Sequence, residues 1–385
     1  MNKNILNTEI QNYIHADLDK DLHSLLLKKS PFPEVSMLEI VQQIKGRKVA
    51  VKKFPFLLKE GIVFPPNLNL EQASSEATSR YKMALVKGRV MVDLTSGFGI
   101  DAFFISQNFE HTFLVEQNAL LSEIVQHNWE ILNRKATFKN ESLEDFLKEN
   151  HQEYHLFYLD PARRDENQNK VFLLEDLSPN LIEIQDVLLR KSQKVLVKLS
   201  PLIDLSYLVS TLKNIVEIHI VAVKNDVKEV LVLMDSSPSS KEIVVRCVNL
   251  ETSEPAFEFS FDEISNAEAH FSEPQNYLYI ANNSVLKSGA FNLIGKKYHL
   301  QKLHPNTHLY TSNSFIEEFL GRILKVETID GKQLKKNQQY NIICKNYPLK
   351  PEAVKKKYGL KDGGIQYVIF TQSKKGKIIL KSIEN

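Results

Sequence analysis

The chain has 385 residues, 43% hydrophobic and 25% charged, a composition of folded domains that leaves room for two or three of them. No run of 18 apolar residues occurs and the N-terminal MNKNILNTEIQNYIHADLDKDL is too polar for a secretory leader, so a cytoplasmic protein with no membrane span is expected. The formal net charge of +2 conceals a gradient: residues 286–385 hold 19 Lys/Arg against 7 Asp/Glu, an excess of +12 that leaves −10 for the rest.

In chain order, residues up to about Tyr81 read as helical. Amphipathic spacing recurs in Leu22, Leu25 and Leu26 and again in Met37, Ile40, Val41 and Ile44, with Pro31 and Pro33 separating the two patterns. A further helix is expected from about Leu70 to Val86, ended by Lys87-Gly88 with the glycine at the C′ position.

From Arg89 short apolar runs alternate with helical segments: RVMVDLT, HTFLVEQ, ATFKN, HLFYLD, KVLVKLS, VEIHIVAV and KEVLVLMD, with helices beginning near Ile100, Ala119, Ser142, Asn180 and Asp204. Continuous Val/Ile/Leu runs suit strands buried on both faces, and their alternation with helices implies a doubly wound parallel sheet. Only KNDV separates the last two runs, too short for a parallel crossover, so they must form an antiparallel hairpin.

Residues 235–242, where Pro238 sits among Ser236, Ser237, Ser239 and Ser240, are the most linker-like stretch. Beyond it, IVVRCVNL and YLYIANN suggest antiparallel sheet. The end reads strand (YNIICKNY), helix (PEAVKKKYG), strand (IQYVIFT), strand (KIILKSI). Cys247 and Cys344 stand far apart without CxxC or Cys/His spacing, so buried free thiols are expected, and neither disulfides nor a metal site.

The first stretch with chemistry is VMVDLTSGFGIDA. A strand delivers Asp93, the chain turns through Thr95, Ser96, Gly97, Phe98 and Gly99, and a helix opens near Ile100 with Asp101 in its first turn. Glycines at 97 and 99 let a ligand approach the backbone, whose free N–H groups favour an electron-rich group. Gly97, Gly99 and Ala102 formally satisfy a dinucleotide fingerprint, with Glu116 where a ribose-binding acid belongs. Asp93 argues against that reading, because a carboxylate beside a pyrophosphate would repel it. A sulfonium ligand with an ammonium group and no phosphate suits the acid instead. Asp101 has a second reading, as a carboxylate favoured in a first helical turn with no ligand present.

These residues resemble class I S-adenosylmethionine-dependent methyltransferases, whose seven-stranded Rossmann-like sheet ends in an antiparallel strand. The resemblance implies S-adenosylmethionine as cofactor, held by Asp93, Thr95, Gly97, Phe98, Gly99 and Asp101, with Glu116 on the ribose. Asn140 and Ser142 match the region that faces adenine in the family; as a helix N-cap they have an equally good structural reading.

YLDPARR follows the fourth strand. Relatives that methylate amines commonly carry Asp/Asn-Pro-Pro-aromatic here, whereas this chain keeps Asp160 and Pro161 and then has Ala162, Arg163 and Arg164. Asp160 is the expected proton or hydrogen-bond acceptor, Pro161 stiffens its turn, and the arginines grip a phosphate or pair with Asp160, Asp165 or Glu175. Lys198, Ser200 and Pro201 end the fifth strand near the same crevice, and Ser200 has the second reading of a helix cap. Within LEQASSEATSRYK, residues Gln72, Ser74, Ser75 and Lys82 are candidates to lie over the cofactor, with a plain helix cap as the other reading of Ser74 or Ser75.

LEQASSEATSRYK, DLTSGFGID, YLDPARR and NYPLKPEAVKKKYGLKDGGIQYVIF together are similar to bacterial methyltransferase-like proteins with a C-terminal THUMP-like domain. That resemblance implies RNA, tRNA or rRNA, as partner, with Lys350, Lys355, Lys356, Lys357 and Lys361 as phosphate contacts. The expected division is a helical region 1–80, a methyltransferase domain 81–236, a mixed α+β module 241–330 and a basic THUMP-like domain 331–385. The expected function is RNA methylation; the alternatives are a protein or small-molecule methyltransferase and an RNA-binding protein that keeps the cofactor fold without catalysis.

Overall fold

A run of small polar side chains shapes the entry to the sheet. The computed structural model describes residues 1–149, 152–163 and 173–383. Helices α2 (Leu22–Leu26) and α3 (Met37–Lys53) follow the amphipathic spacing of the sequence, and α1 (Thr8–Ala16) precedes them within the region read as helical. The single helix expected from Leu70 to Val86 is instead two, α4 (Asn67–Gln72) and α5 (Glu76–Leu85). Ala73 is extended and the Ser75 hydroxyl accepts from the Thr78 N–H at 3.3 Å. Capping by Ser75 thus wins over continuing one helix. Gly88 also departs from expectation: it opens the first strand instead of closing α5, and a Cβ there would meet His155 Cβ at 2.7 Å.

The chain divides into two compact units, Met1–Val216 with Val230–Lys241, and Glu217–Glu229 with Glu242–Asn385. The doubly wound sheet comprises β1 (Gly88–Asp93), β2 (Phe109–Val115), β3 (Thr137–Lys139), β4 (Tyr154–Leu159), β5 (Ser192–Leu199), β6 (Ile215–Val223) and β7 (Asp226–Asp235). Their order is β3-β2-β1-β4-β5-β7-β6, and two later strands continue the sheet beyond β6 to nine in all. The first five run parallel and β7 runs antiparallel to β5. Lys224 and Asn225 turn the β6–β7 hairpin with φ of 48° and 67°, the left-handed pair that a two-residue hairpin turn requires.

Helices α6 (Ile100–Ile105), α7 (Ala119–Ile131), α8 (Leu143–Glu149), α9 (Leu181–Lys191) and α10 (Leu205–Thr211) start where the sequence marks them. Asn118, Asn180 and Asp204 cap α7, α9 and α10 with their side chains. The N-terminal helices share one apolar core with α6 and α7, in which Ile40, Ile44, Phe54 and Phe64 meet Phe98, Phe104 and Trp129. No helix among the described residues is long and apolar enough to cross a membrane.

In the second unit β8 (Val244–Leu250) runs parallel to β6 and antiparallel to β9 (Phe257–Ser260), where antiparallel pairing alone was expected. The chain reverses twice between β6 and β8, at the hairpin and after β7, so the two strands share a direction. Cys247, on β8, is buried as expected, whereas Cys344 is partly exposed. Short helices α11 (Glu263–Asn266), α12 (Asn283–Lys287) and α13 (Phe291–Lys297) accompany β10 (Tyr277–Ala281), β11 (Gln301–His304) and β12 (Thr307–Ser312). Then come β13 (Gly321–Ile329), β14 (Gln339–Cys344), α14 (Pro351–Tyr358), β15 (Lys361–Ser373) and β16 (Gly376–Ser382). The second sheet has the order β11-β12-β10-β13-β16-β15-β14. Helix α14 is the crossover between the parallel pair β14 and β15, ended by left-handed Gly359 (φ 66°). Its Val354 packs with Tyr340, Leu360 and Phe370.

Candidate active site

A cavity of about 380 Å³ opens at the carboxyl ends of β1, β2 and β4, where ligands of open α/β sheets bind. Asp93 forms its floor, 1% exposed, accepting from the Thr95 N–H at 3.0 Å. Burial, reinforced by Asp101, Asp160 and Glu116, pushes its carboxyl well above the usual carboxylate range. A carboxyl in that position is stabilised by any cation brought to it.

The turn above Asp93 divides its work between two glycines. Gly97 has φ 51°, and a Cβ there would find nothing nearer than Thr95 O at 3.8 Å, so the space beside it is open to the cavity. Gly99 has φ 71°, but its Cβ would strike Val125 at 2.8 Å and Trp129 Nε1 at 3.2 Å. Gly97 therefore serves the cavity and Gly99 serves packing of the loop on α7. Phe98 is a core residue at the side-chain level, its ring set edge-on to Phe54 at 6.1 Å. Thr95 ties β1 to β4, its hydroxyl accepting from the Asp160 N–H at 2.7 Å.

Glu116 leaves the end of β2 with its two oxygens accepting from Gly97 N (3.0 Å) and Asn118 N (2.8 Å). A carboxylate offers about four lone-pair sites, so acceptor capacity remains. Asn140 donates to the carbonyls of Glu116 and Gln117, at 2.7 and 3.2 Å. Ser142 caps α8, accepting from Asp145 N at 3.1 Å. Neither Asn140 nor Ser142 lines the cavity; Glu141, Leu143 and Glu144 do.

Asp101 is the most heavily bound carboxylate of the site. It accepts from Ser74 (2.6 Å), Ser79 (2.7 Å) and the Tyr158 hydroxyl (2.7 Å), with Lys82 Nζ at 3.2 Å and Lys198 Nζ at 4.0 Å. Burial alone would raise its carboxyl, but the two ammonium groups and the serine hydroxyls outweigh it and hold it far below the usual range. Of the four candidates in the N-terminal segment, Ser74 and Lys82 join this network, Gln72 lines the cavity and Ser75 caps α5. Sequence reasoning missed Ser79 and Tyr158. Ser79 lies three residues before Lys82 on one helical face, and Tyr158 two before Asp160 on one side of a strand, spacings that would have marked both.

Asp160 lines the cavity and pairs with Lys198. Burial raises its carboxyl against the opposing pull of Lys198. Pro161 is buried, and Ala162 and Arg163 pair antiparallel with Ser178 and Leu177. The Arg163 side chain and the whole of Arg164 lie outside what is described. Ser200 forms a local turn, accepting from Leu202 N at 3.3 Å, while Asp204 caps α10.

In the second unit Lys350, Lys356, Lys357 and Lys361 are exposed, whereas Lys355 is held by Glu352 (2.5 Å) and Asp362 (2.6 Å). Among the described residues no group of three or more His, Cys, Asp or Glu is placed to hold a metal ion.

The strand order, the antiparallel β7 and the glycine loop over an acid define a class I methyltransferase fold. Residues 277–319 match the family model of a ferredoxin-like domain and residues 321–381 that of a THUMP domain-like region. The chain is similar to a solved structure from Porphyromonas gingivalis W83 described as a candidate methyltransferase, with a TM-score of 0.85 and 28% identity over 99% of each chain. Partial matches include a candidate class I S-adenosylmethionine-dependent methyltransferase from Listeria monocytogenes (TM-score 0.39, 14% identity, 63% of this chain and 94% of that one). A candidate methyltransferase from Streptococcus mutans in complex with SAH gives a TM-score of 0.31 and 12% identity over 41% of this chain and 95% of that one. These two scores are too low to establish a shared fold. No curated protein matches the sequence. The chain is thus a class I methyltransferase-fold protein with a C-terminal THUMP-like domain, as its motifs suggest.

Proposed function

We propose that the protein is an S-adenosylmethionine-dependent methyltransferase that acts on RNA. The observation that carries the reading is Asp93, a buried carboxyl with a raised proton affinity beneath a loop whose Gly97 leaves the cavity wall open. Such a site favours a cationic ligand over a phosphate. The cavity volume lies within the range of small-molecule sites. Asp93 and Gly97 would hold the amino-acid part of the cofactor and Glu116, with its remaining acceptor capacity, the ribose. When bound there, the cofactor supplies a methyl group activated on a sulfonium.

The chain's own contribution is positioning. Thr95 fixes the loop to the Asp160 backbone, so the cofactor wall and the acceptor wall are held as one piece. Asp160 faces the cavity as hydrogen-bond or proton acceptor for the incoming nucleophile, with Lys198 fixing its carboxylate. The THUMP-like match and the basic C-terminal hundred residues support RNA as the acceptor class. Isothermal calorimetry with S-adenosylmethionine tests the cofactor, and mass spectrometry of RNA nucleosides from cells with and without the gene tests the substrate. An unbound cofactor, or identical nucleoside profiles, overturns the corresponding half.

A further inference from the structure

We propose that the methyl acceptor is a hydroxyl oxygen, the ribose 2′-hydroxyl of an RNA nucleotide, and not a nitrogen of a base. The inference rests on the methyltransferase reading and concerns the acceptor wall of the same cavity.

Two ammonium groups stand behind that wall. Lys198 Nζ pairs with Asp160 and lies 3.3 Å from Ser74 Oγ; Lys82 Nζ lies 3.2 Å from Ser74 Oγ and 3.2 Å from Asp101 Oδ1. Lys82 is fully buried and the Lys198 side chain is 12% exposed, so neither charge is dissolved in solvent. Ser74, Asp101 and Asp160 all line the cavity. The Asp-Pro turn carries Ala162 on the cavity, without the aromatic ring that would stack on a base. The aromatic nearest in sequence, Tyr158, is 1% exposed and commits its hydroxyl to Asp101.

The proton on the acceptor decides between the two chemistries. A base nitrogen attacks with a lone pair it already holds, so it needs no base at the start. A hydroxyl must give up its proton as the bond forms, and the Asp160 carboxylate on the cavity wall, anchored by Lys198 behind it, is placed to take it. In the step the hydroxyl proton passes to the Asp160 carboxylate and the freed oxygen pair forms the new O–C bond. The C–S bond breaks with its pair retained on sulfur, so sulfonium and carboxylate become thioether and carboxylic acid and charge balances. Partial burial raises the Asp160 carboxyl and makes it a better proton acceptor than a fully exposed carboxylate. Lys198 is a positioning residue, orienting the Asp160 carboxylate through their ion pair. Asp101 keeps both lysines in place.

The test uses the full-length protein, methyl-tritiated S-adenosylmethionine and RNA from cells lacking the gene, followed by complete alkaline hydrolysis. Alkali cleaves only beside a free 2′-hydroxyl, so the expected label is in alkali-stable dinucleotides. Label recovered in mononucleotides overturns the inference and leaves the methyltransferase reading intact. No label in RNA, with cofactor binding intact by calorimetry, overturns both this inference and the RNA reading. Lys198→Met should lower the transfer rate roughly 100-fold at unchanged cofactor affinity, and Lys198→Arg should recover part of the loss. A wild-type rate in Lys198→Met removes the lysine's role. Should that variant fail to fold, Asp160→Asn is read in its place, with a similar loss expected and a wild-type rate overturning the step.

Discussion

Lys82 and Asp101 meet at 3.2 Å in the interior of the first unit, the lysine side chain wholly shielded from solvent and the carboxylate nearly so. A buried ion pair is tolerated only when its remaining donors and acceptors are satisfied. Here Ser74, Ser79 and Tyr158 supply the donors to Asp101. The pair joins α5, ahead of the sheet, to α6, which follows the glycine loop. The N-terminal region thereby forms part of the cavity wall through Gln72 and Ser74.

Asp101→Ala leaves the buried Lys82 ammonium uncompensated and should destabilise the protein by about 3–5 kcal/mol, read by chemical denaturation at pH 7. Because the folded-state carboxyl is held below its unfolded value of roughly 3.9, its contribution is complete above that pH and is lost as pH falls through the lower, folded value. The difference between wild type and variant should therefore shrink on acidification below about pH 4. A constant difference across pH would refute the assignment.

Asp93→Asn should do the opposite. The folded-state carboxyl is raised, so the native protein binds the proton more tightly, and stability falls as pH rises from the unfolded value toward the folded one. An amide at this position removes that cost while still accepting from Thr95 N. The thermal midpoint at neutral pH should rise while affinity for S-adenosylmethionine drops by about 1.4 kcal/mol or more, a tenfold loss. A variant that binds as well as wild type would detach Asp93 from the ligand.

Gly97→Ala and Gly99→Ala should separate binding from folding. Both place a Cβ residue in the left-handed region, at about 1–2 kcal/mol. The Gly97 methyl has open space and intrudes on the cavity, so ligand affinity suffers more than stability. The Gly99 methyl collides with Val125 and Trp129, so stability suffers more. Paired calorimetry and denaturation check the contrast; equal effects of the two on both readouts would contradict it.

In the THUMP-like domain, Lys356→Glu and Lys357→Glu should weaken RNA binding and reduce the slope of log affinity against log salt by about one for each phosphate no longer neutralised. Lys355→Glu should act less on phosphate binding, because Glu352 and Asp362 already hold that ammonium. Filter binding across a salt series measures it, and the largest loss at Lys355 would reverse the assignment.

Much of this was legible in residue order, for a local reason. Strand runs, caps at Asn118, Asn180 and Asp204, and the short KNDV connection are properties of neighbouring residues, and they dictate a parallel sheet closed by a hairpin. Asp93 and the two glycines lie within seven residues of one another, so the loop could be read as a unit. The cap at Ser75 was legible as a reading of the serine pair, but that reading sat beside a single helix from Leu70, and the split into two helices came only with the tertiary fold, where Ser74 meets Asp101.

Sequence alone determined the order of the elements, the acid before the glycine loop and the Asp-Pro turn without its aromatic. Tertiary structure alone decided what the polar residues of the site touch: Ser74 on Asp101 and Lys198 on Asp160. Residues 74, 101, 160 and 198 lie far apart along the chain, and no local pattern records their meeting. Burial, complete at Lys82 and partial at Asp160, converts that meeting into chemistry, because water would otherwise screen the ion pairs that hold these side chains in place.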